Sequence, residues 1–298
     1  MVGSQNLLIC TACGTQFDVP FSQPLKACRI CDDPRQFVPA QGQTWTSLSH
    51  LRSTHTNTFT PFSTSSKLWS INTEPKVAIG QRCILIQTPS GNVLWDCITL
   101  LNDATVERIK SMGGLKAIVI SHPHYYTTHL DWAEAFGCPV YLAKEDVGWC
   151  CREDRDRRRK LIEGTHGSLE EVVVEGVVVA KPGGHFPGSL VLCWERRLFI
   201  ADTMVTAPSA YYHIDRPEGT TSYAFMWSIP NMIPLPPSEL IKMWRVLETL
   251  DFESTHAAFV GTDIYDKDLK GRVLESMKIQ ARNEGYAEHE ILKQKLPE

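Results

Sequence analysis

Two sets of residues in this chain have the types and spacing to bind metal. Cys10-Thr11-Ala12-Cys13 and Cys28-Arg29-Ile30-Cys31 form two C-x2-C pairs separated by fourteen residues. Each pair can place two thiolates on one tetrahedral ion, and four thiolates close its coordination, so the expected ion is a structural zinc. Gly14 and Asp32 directly follow the pairs and suit tight turns whose backbone N–H groups point back at sulfur. Free thiols or a redox pair are the competing reading, but a thioredoxin-type motif needs one pair, not two. The second set begins at Ser121-His122-Pro123-His124, after the apolar run 115–120. Two histidines at i and i+2 on a turn can chelate one ion, and the carboxyl end of a strand is where side chains converge on a ligand. Three more candidates lie downstream: His185 within Gly183-Gly184-His185-Phe186-Pro187-Gly188-Ser189, Asp202 at the end of Leu198-Phe199-Ile200-Ala201, and His256 after Asp251-Phe252-Glu253-Ser254-Thr255.

The elements that must hold these residues are legible as alternating strands and helices. Val77–Ile79, 83–87 and 93–96 read as strands with a turn at Pro89-Ser90-Gly91-Asn92, and 102–112 reads as an amphipathic helix stopped by Gly113-Gly114. Residues 115–121 and 139–142 read as buried strands around a helix at 128–136. In the second half, 172–180 is strand-rich, 189–194 with 197–201 forms a hairpin, and 237–250 is a helix with an apolar stripe. Each half thus offers strands plus helices, which suits two sheets packed face to face with helices outside. Residues 47–66 read as an irregular connection held down by Trp45, Phe59, Phe62 and Trp69. A boundary is expected near Gly42, and residues 1–42 are too few to build a core without a metal or the rest of the protein.

At 298 residues, with 43% hydrophobic and 21% charged, the chain can bury a large core. A net charge of −4 argues against a general attraction to nucleic acid. No apolar run reaches the ~20 residues needed to cross a bilayer, and the first residues lack the pattern of a signal peptide, so a cytoplasmic protein without a membrane partner is expected. The run Arg152–Lys160 interleaves six basic and three acidic residues and reads as a solvated helix face. The Pro-rich stretch Ile229–Pro237 is too apolar for a plain loop and reads as a pocket wall or a homodimer contact. His213, beside Tyr211 and Tyr212, reads as a residue of a pocket mouth; His50, His55, His166 and His289 have no chemical context.

The order H-x-H, G-H-x-x-G-S, strand-terminal Asp and late His resembles the metallo-β-lactamase superfamily over roughly residues 68 to 265. The cysteine pairs, with Gly14-Thr15-Gln16-Phe17 and Gly42-Gln43-Thr44-Trp45, resemble uncharacterised fungal and bacterial members of it. The resemblance implies an α+β, four-layer αβ/βα sandwich over 43–298, behind a zinc-ribbon-like knuckle at 1–42. It implies His122, His124, His185, Asp202 and His256 as ligands of zinc, iron or manganese, with Asp96 orienting one of them. The family motif continues H-x-H-x-D-H, whereas this chain has Tyr126 and Thr127 in the last two places. Three arrangements follow: one metal on His122, His124, His185 and Asp202; a second site rebuilt with His129 or Asp131; or a degenerate site. The first is favoured. A three-His site with an open position lowers the pKa of bound water towards ~7 and polarises a carbonyl.

The resulting expectation is a metal-dependent hydrolase whose zinc-activated water attacks an ester, thioester, lactone or amide of a small molecule. Asp202 would hold the metal and Tyr126 would assist the oxyanion. The alternatives are a non-catalytic metal-binding interaction protein with a vestigial site, and a metal-dependent oxidoreductase.

Overall fold

Fold and sites are described from a computed structural model of the chain, which describes residues 3–164, 166–168, 174–212 and 216–296. Its contacts divide into two units, residues 1–162 with 170–175, and residues 163–169 with 176–298. His213 and residues 172–173 of the expected strand-rich stretch lie outside the described residues.

The first unit is organised by a seven-stranded sheet. Its strands run in the order Arg159–Ile162, Val140–Ala143, Ala117–Val119, Val93–Trp95, Cys83–Ile86, Ser65–Glu74 and Thr56–Phe62. The first four are mutually parallel and the remaining pairs antiparallel. Strands buried on both faces need apolar side chains on both, and Val93–Trp95 and Ala117–Val119 are apolar and buried at every position. Two helices punctuate the sheet. Asn102 caps helix Asp103–Ser111 by accepting from the Thr105 N–H at 2.9 Å. Gly137, with φ +64°, ends helix His129–Phe136 in the left-handed conformation that glycine adopts without steric cost. A smaller sheet in the same unit orders Gln16–Pro20, Leu7–Cys10 and Trp45–Thr46.

Three local expectations are corrected in this unit. Val77–Ile79 is a turn rather than a strand, with Ala78 at φ +52° and the Gly80 N–H bonded to the Val77 carbonyl. The stretch 47–66 is regular: Ser47 caps helix Leu48–Thr54, and Thr56–Phe62 pairs with Ser65–Glu74. From Thr56 to Thr60 its side chains alternate between exposed and half-buried, the period-2 pattern of an edge strand. The charged run 152–160 is no helix but a turn leading into Arg159–Ile162, because Asp154 accepts from the N–H groups of Arg158 and Arg159 and folds the chain back.

In the second unit a six-stranded sheet runs in the order His166–Ser168, Val178–Ala180, Val191–Trp194, Arg197–Phe199, Ser254–His256 and Asp263–Tyr265. Arg197–Phe199 and Ser254–His256 are parallel, which puts the residues after both strands at one edge. Helix Pro237–Leu247 buries Leu240, Met243, Trp244 and Leu247. Helix Leu269–Asn283 was not anticipated; it buries Val273, Met277 and Ala281 in the same core. Its Ser276 hydroxyl accepts from the N–H groups of Ser222 and Tyr223, and Gln280 bonds the backbone of Phe225. Among the described residues no helix is long and apolar enough to cross a membrane.

Candidate metal centres

The cysteine centre lies entirely in the first unit. Tight turns close each pair, the Gly14 N–H on the Cys10 carbonyl and the Asp32 N–H on the Cys28 carbonyl, both at 2.8 Å. Gly14 must stay glycine: its φ is +78°, and a Cβ there would meet Thr99 Oγ1 at 2.0 Å. Cys10 Sγ lies 3.6 Å from Cys31 Sγ, and Cys13 Sγ 3.6 Å from Cys28 Sγ. A tetrahedral ion with bonds of about 2.3 Å needs sulfurs about 3.8 Å apart, so the four fit one zinc-sized ion. None of the four is joined in a disulfide. Hydrogen bonds from Cys13, Cys28 and Cys31 drive the Cys10 thiol well below its usual range, and the same sharing with Cys10 drives Cys13 and Cys31 upward. Four thiolates this close need a cation before all can ionise. Gln43 Nε2 donates to Cys10 Sγ at 3.1 Å, as expected of a group that stabilises thiolate charge.

The histidine pair of the first unit follows Ala117–Val119. The neighbouring parallel strand Val93–Trp95 ends at Asp96, on the same sheet edge, and Asp96 Oδ1 accepts from the Ser121 N–H at 2.7 Å. Asp96 therefore holds the backbone that enters the H-x-H turn. Its φ of +62° is a strained conformation for a side chain with a Cβ. Ser121 Oγ lies 2.9 Å from His122 Nδ1; when that nitrogen carries the proton, Nε2 is the metal-binding atom. The His122 and His124 rings are both buried, with centroids 4.9 Å apart. Gln36 Nε2, from the cysteine segment, lies 2.9 Å from His124 Nδ1 and 3.0 Å from its Nε2.

The second unit holds the other candidates. His185 is fully buried in the loop between Val178–Ala180 and Val191–Trp194. The Gly183 N–H bonds the Ser189 carbonyl, and Ser189 Oγ accepts from the Phe186 N–H, which shapes that loop. His185 Nδ1 lies 3.2 Å from the Met226 carbonyl, so it carries the proton, and Nε2 faces Asp202 Oδ2 at 3.7 Å. An imidazole nitrogen and a carboxylate oxygen thus face each other, the donor types that a metal ion would take.

No protein-family model matches the chain. The uncharacterized protein YmaE of Bacillus subtilis (strain 168) is 36% identical over 251 residues, spanning 84% of this chain and 88% of the relative. Among solved structures, the metallo-β-lactamase from Erythrobacter litoralis is similar at a TM-score of 0.52 and 11% identity, covering 74% of this chain and 96% of that one. DIM-1 metallo-β-lactamase gives 0.52 at 11%, covering 75% and 98%. FIM-1 from Pseudomonas aeruginosa, in a mono-zinc form, gives 0.50 at 15%, covering 76% and 96%. The chain belongs to the family of YmaE, and its fold is that of the metallo-β-lactamases. The likeness shows the αβ/βα fold expected from the sequence, here joined to a four-cysteine segment.

Within this fold, the chain departs from the ligand set expected from the sequence in its second site. His256 was expected to be a ligand, but it belongs to no metal-binding group among the described residues. Its Nδ1 lies 3.0 Å from the Asp263 carboxylate and its Nε2 3.2 Å from Ser254 Oγ, so both nitrogens have protein partners. Asp263 comes from the adjoining antiparallel strand, a neighbour invisible in the sequence. His129 cannot rebuild the site: Arg159 Nε donates to its Nε2 at 2.9 Å, which leaves Nδ1 to donate to the Tyr126 carbonyl. Burial, with the charge of Arg159, pushes its pKa down to about 3 and keeps it neutral. Asp131 Oδ2 is paired with Arg152 at 2.8 Å. Tyr126 is buried and its hydroxyl donates to the Asp146 carbonyl at 3.2 Å; the oxyanion role expected of it would require that bond to be given up. Burial also holds its phenol well above the usual range. The sequence missed Ser121, Met226 and Gln36 as supports. Ser121 was reachable from its place beside His122, whereas Met226 acts through its backbone and Gln36 lies 88 residues from its partner.

Proposed function

We propose that the protein is a metal-dependent hydrolase in which His122, His124, His185 and Asp202 are the ligands of one catalytic metal ion. The observation that carries the proposal is the partnering of the imidazoles: His122 Nδ1 on Ser121 and His185 Nδ1 on the Met226 carbonyl leave Nε2 of each as the ligand atom. The neighbouring commitments of His129, Asp131 and His256 support a single ion. Similarity to a fold that FIM-1 displays in a mono-zinc form agrees with that count. Zinc is the proposed metal, with iron or manganese as alternatives for the same imidazole and carboxylate donors. When bound, such an ion acidifies a coordinated water and polarises a carbonyl. The chain's own groups do the rest. Asp96 and Ser121 fix His122, the Met226 carbonyl fixes His185, and Asp202 offers a second carboxylate oxygen that takes the proton from the attacking water.

The proposed substrate is a small molecule carrying an ester, thioester, lactone or amide, and a zinc ion is proposed at the four cysteines. A panel of such substrates, assayed with metal content per chain, tests the reading. The expected result is about two zinc ions per chain and turnover of at least one class. His122→Ala with His124→Ala should remove one ion and lower kcat/KM by at least ~100-fold, the scale on which a catalytic group contributes. Equal metal content in variant and wild type would reject it.

A further inference from the structure

The segment after the second cysteine pair is built outward from the metal centre towards His124. The Asp32 N–H closes the Cys28 turn, and Asp33 then accepts from Arg35 at its backbone N–H, Nε and Nη2 at 2.8–3.1 Å. The Arg35 guanidinium sits over the Trp149 ring at 5.3 Å, and Arg29, from within the Cys28–Cys31 pair, sits over the same ring at 5.4 Å. The Gln36 N–H bonds the Asp33 carbonyl, and its side-chain amide reaches both nitrogens of the buried His124. The four cysteines, Asp33, Arg35 and Gln36 are thus one connected arrangement ending on a ligand imidazole.

We infer that Gln36 is a positioning residue for His124, and that the metal held by the four cysteines thereby sets the affinity of the histidine site. The inference rests on the ligand set proposed above. A ligating imidazole carries hydrogen on its other nitrogen and needs an acceptor there. Turned about its last side-chain bond, the Gln36 amide would put Oε1 where Nε2 lies, 2.9 Å from His124 Nδ1 and 3.0 Å from its Nε2, and so supply that acceptor. A carboxylate at position 36 would be a stronger acceptor, and an aliphatic side chain would supply none.

Cobalt(II) titration followed by visible absorption tests this on the full chain. Thiolate-to-cobalt charge transfer marks the cysteine centre, and ligand-field bands marking the histidine centre appear after the cysteines are filled with zinc. Gln36→Leu should weaken cobalt binding at the histidines roughly 10- to 100-fold, the usual effect of removing a ligand's hydrogen-bond partner, while Gln36→Glu restores it. A merely structural role would not be rescued by the charged residue. Cys28→Ser with Cys31→Ser should weaken the histidine site similarly, and adding Gln36→Leu should weaken it little further, because both changes remove one contact. Histidine-site affinity in Gln36→Leu equal to wild type, with circular dichroism unchanged, would overturn the inference while leaving the ligand set standing. A wild-type chain that takes cobalt at the cysteines alone would remove both.

Discussion

The cysteine and histidine centres are made in opposite ways. The four thiols come from positions 10 to 31, two local turns of one small sheet, and every ligand is in reach of every other through short chain segments. The histidine candidates come from positions 122 to 202: His122 and His124 follow Ala117–Val119 in one unit, while His185 lies in a loop and Asp202 after Arg197–Phe199 in the other. A local centre with four thiolates draws part of its shape from an ion and part from the small apolar cluster of Leu8, Phe17 and Ile30 that buries its cysteines. In the proposed histidine site each side chain is held by the elements of its own unit, so an ion there would add chemistry rather than local structure. The same contrast appears in the supports. Cys10 is helped by Gln43 from its own small sheet region, whereas His122 is held through Asp96, on a neighbouring parallel strand.

The largest effect that sharpens this contrast is loss of the cysteine ion. Structural zinc contributes on the order of 10 kcal/mol to small domains that depend on it. Cys28→Ser with Cys31→Ser should therefore abolish amide-exchange protection in Leu7–Cys10 and Gln16–Pro20, and leave Ala117–Val119 protected. Protection surviving in both strands would mean that the small sheet holds itself together without metal. His122→Ala with His124→Ala, by comparison, should leave protection in all three strands intact.

A second test uses the buried His129, which belongs to the scaffold rather than the ligands. Its folded pKa, about 3, lies below the ordinary value of 6.5. Between these values the unfolded chain takes up a proton that the folded chain refuses, so stability falls as pH drops from about 6.5 towards 3, by up to ~1.4 kcal/mol per unit. A His129→Gln variant should show a shallower decline in denaturant midpoint between pH 6.5 and 4.5. Parallel curves for the two proteins would show that His129 is protonated in the folded state.

The smallest expected effect is at the loop carrying His185. Gly184 has φ +92°, and a Cβ there would come within 2.9 Å of Met243 Sδ and 3.1 Å of Leu235 Cδ1. Gly184→Ala should cost about 1–3 kcal/mol through left-handed strain and crowding, readable as a lowered thermal midpoint. Metal affinity should fall with it, since the loop presents Nε2 to Asp202. An unchanged midpoint would mean that the helix at Met243 yields without cost.

Much of this architecture was legible in the residues themselves. Two C-x2-C pairs followed by Gly14 and Asp32 specify a tetrahedral thiolate site, because ligand spacing and turn geometry are local properties. The strands ending at Asp96, His122 and Asp202 could be placed from apolar runs, since burial on both faces of a sheet demands them. What the sequence could not state is which nitrogen or carboxylate each candidate would meet. His256 looked like a ligand and pairs with Asp263 on the adjoining strand; His129 and Asp131 looked available and pair with Arg159 and Arg152. The run 152–160 looked like a solvated helix and instead brings those arginines inward. Only the tertiary structure decided these partners and the reach of Gln36 to His124, because hydrogen bonds and ion pairs depend on distances of about 3 Å between atoms whose residues lie 7 to 88 positions apart in the chain.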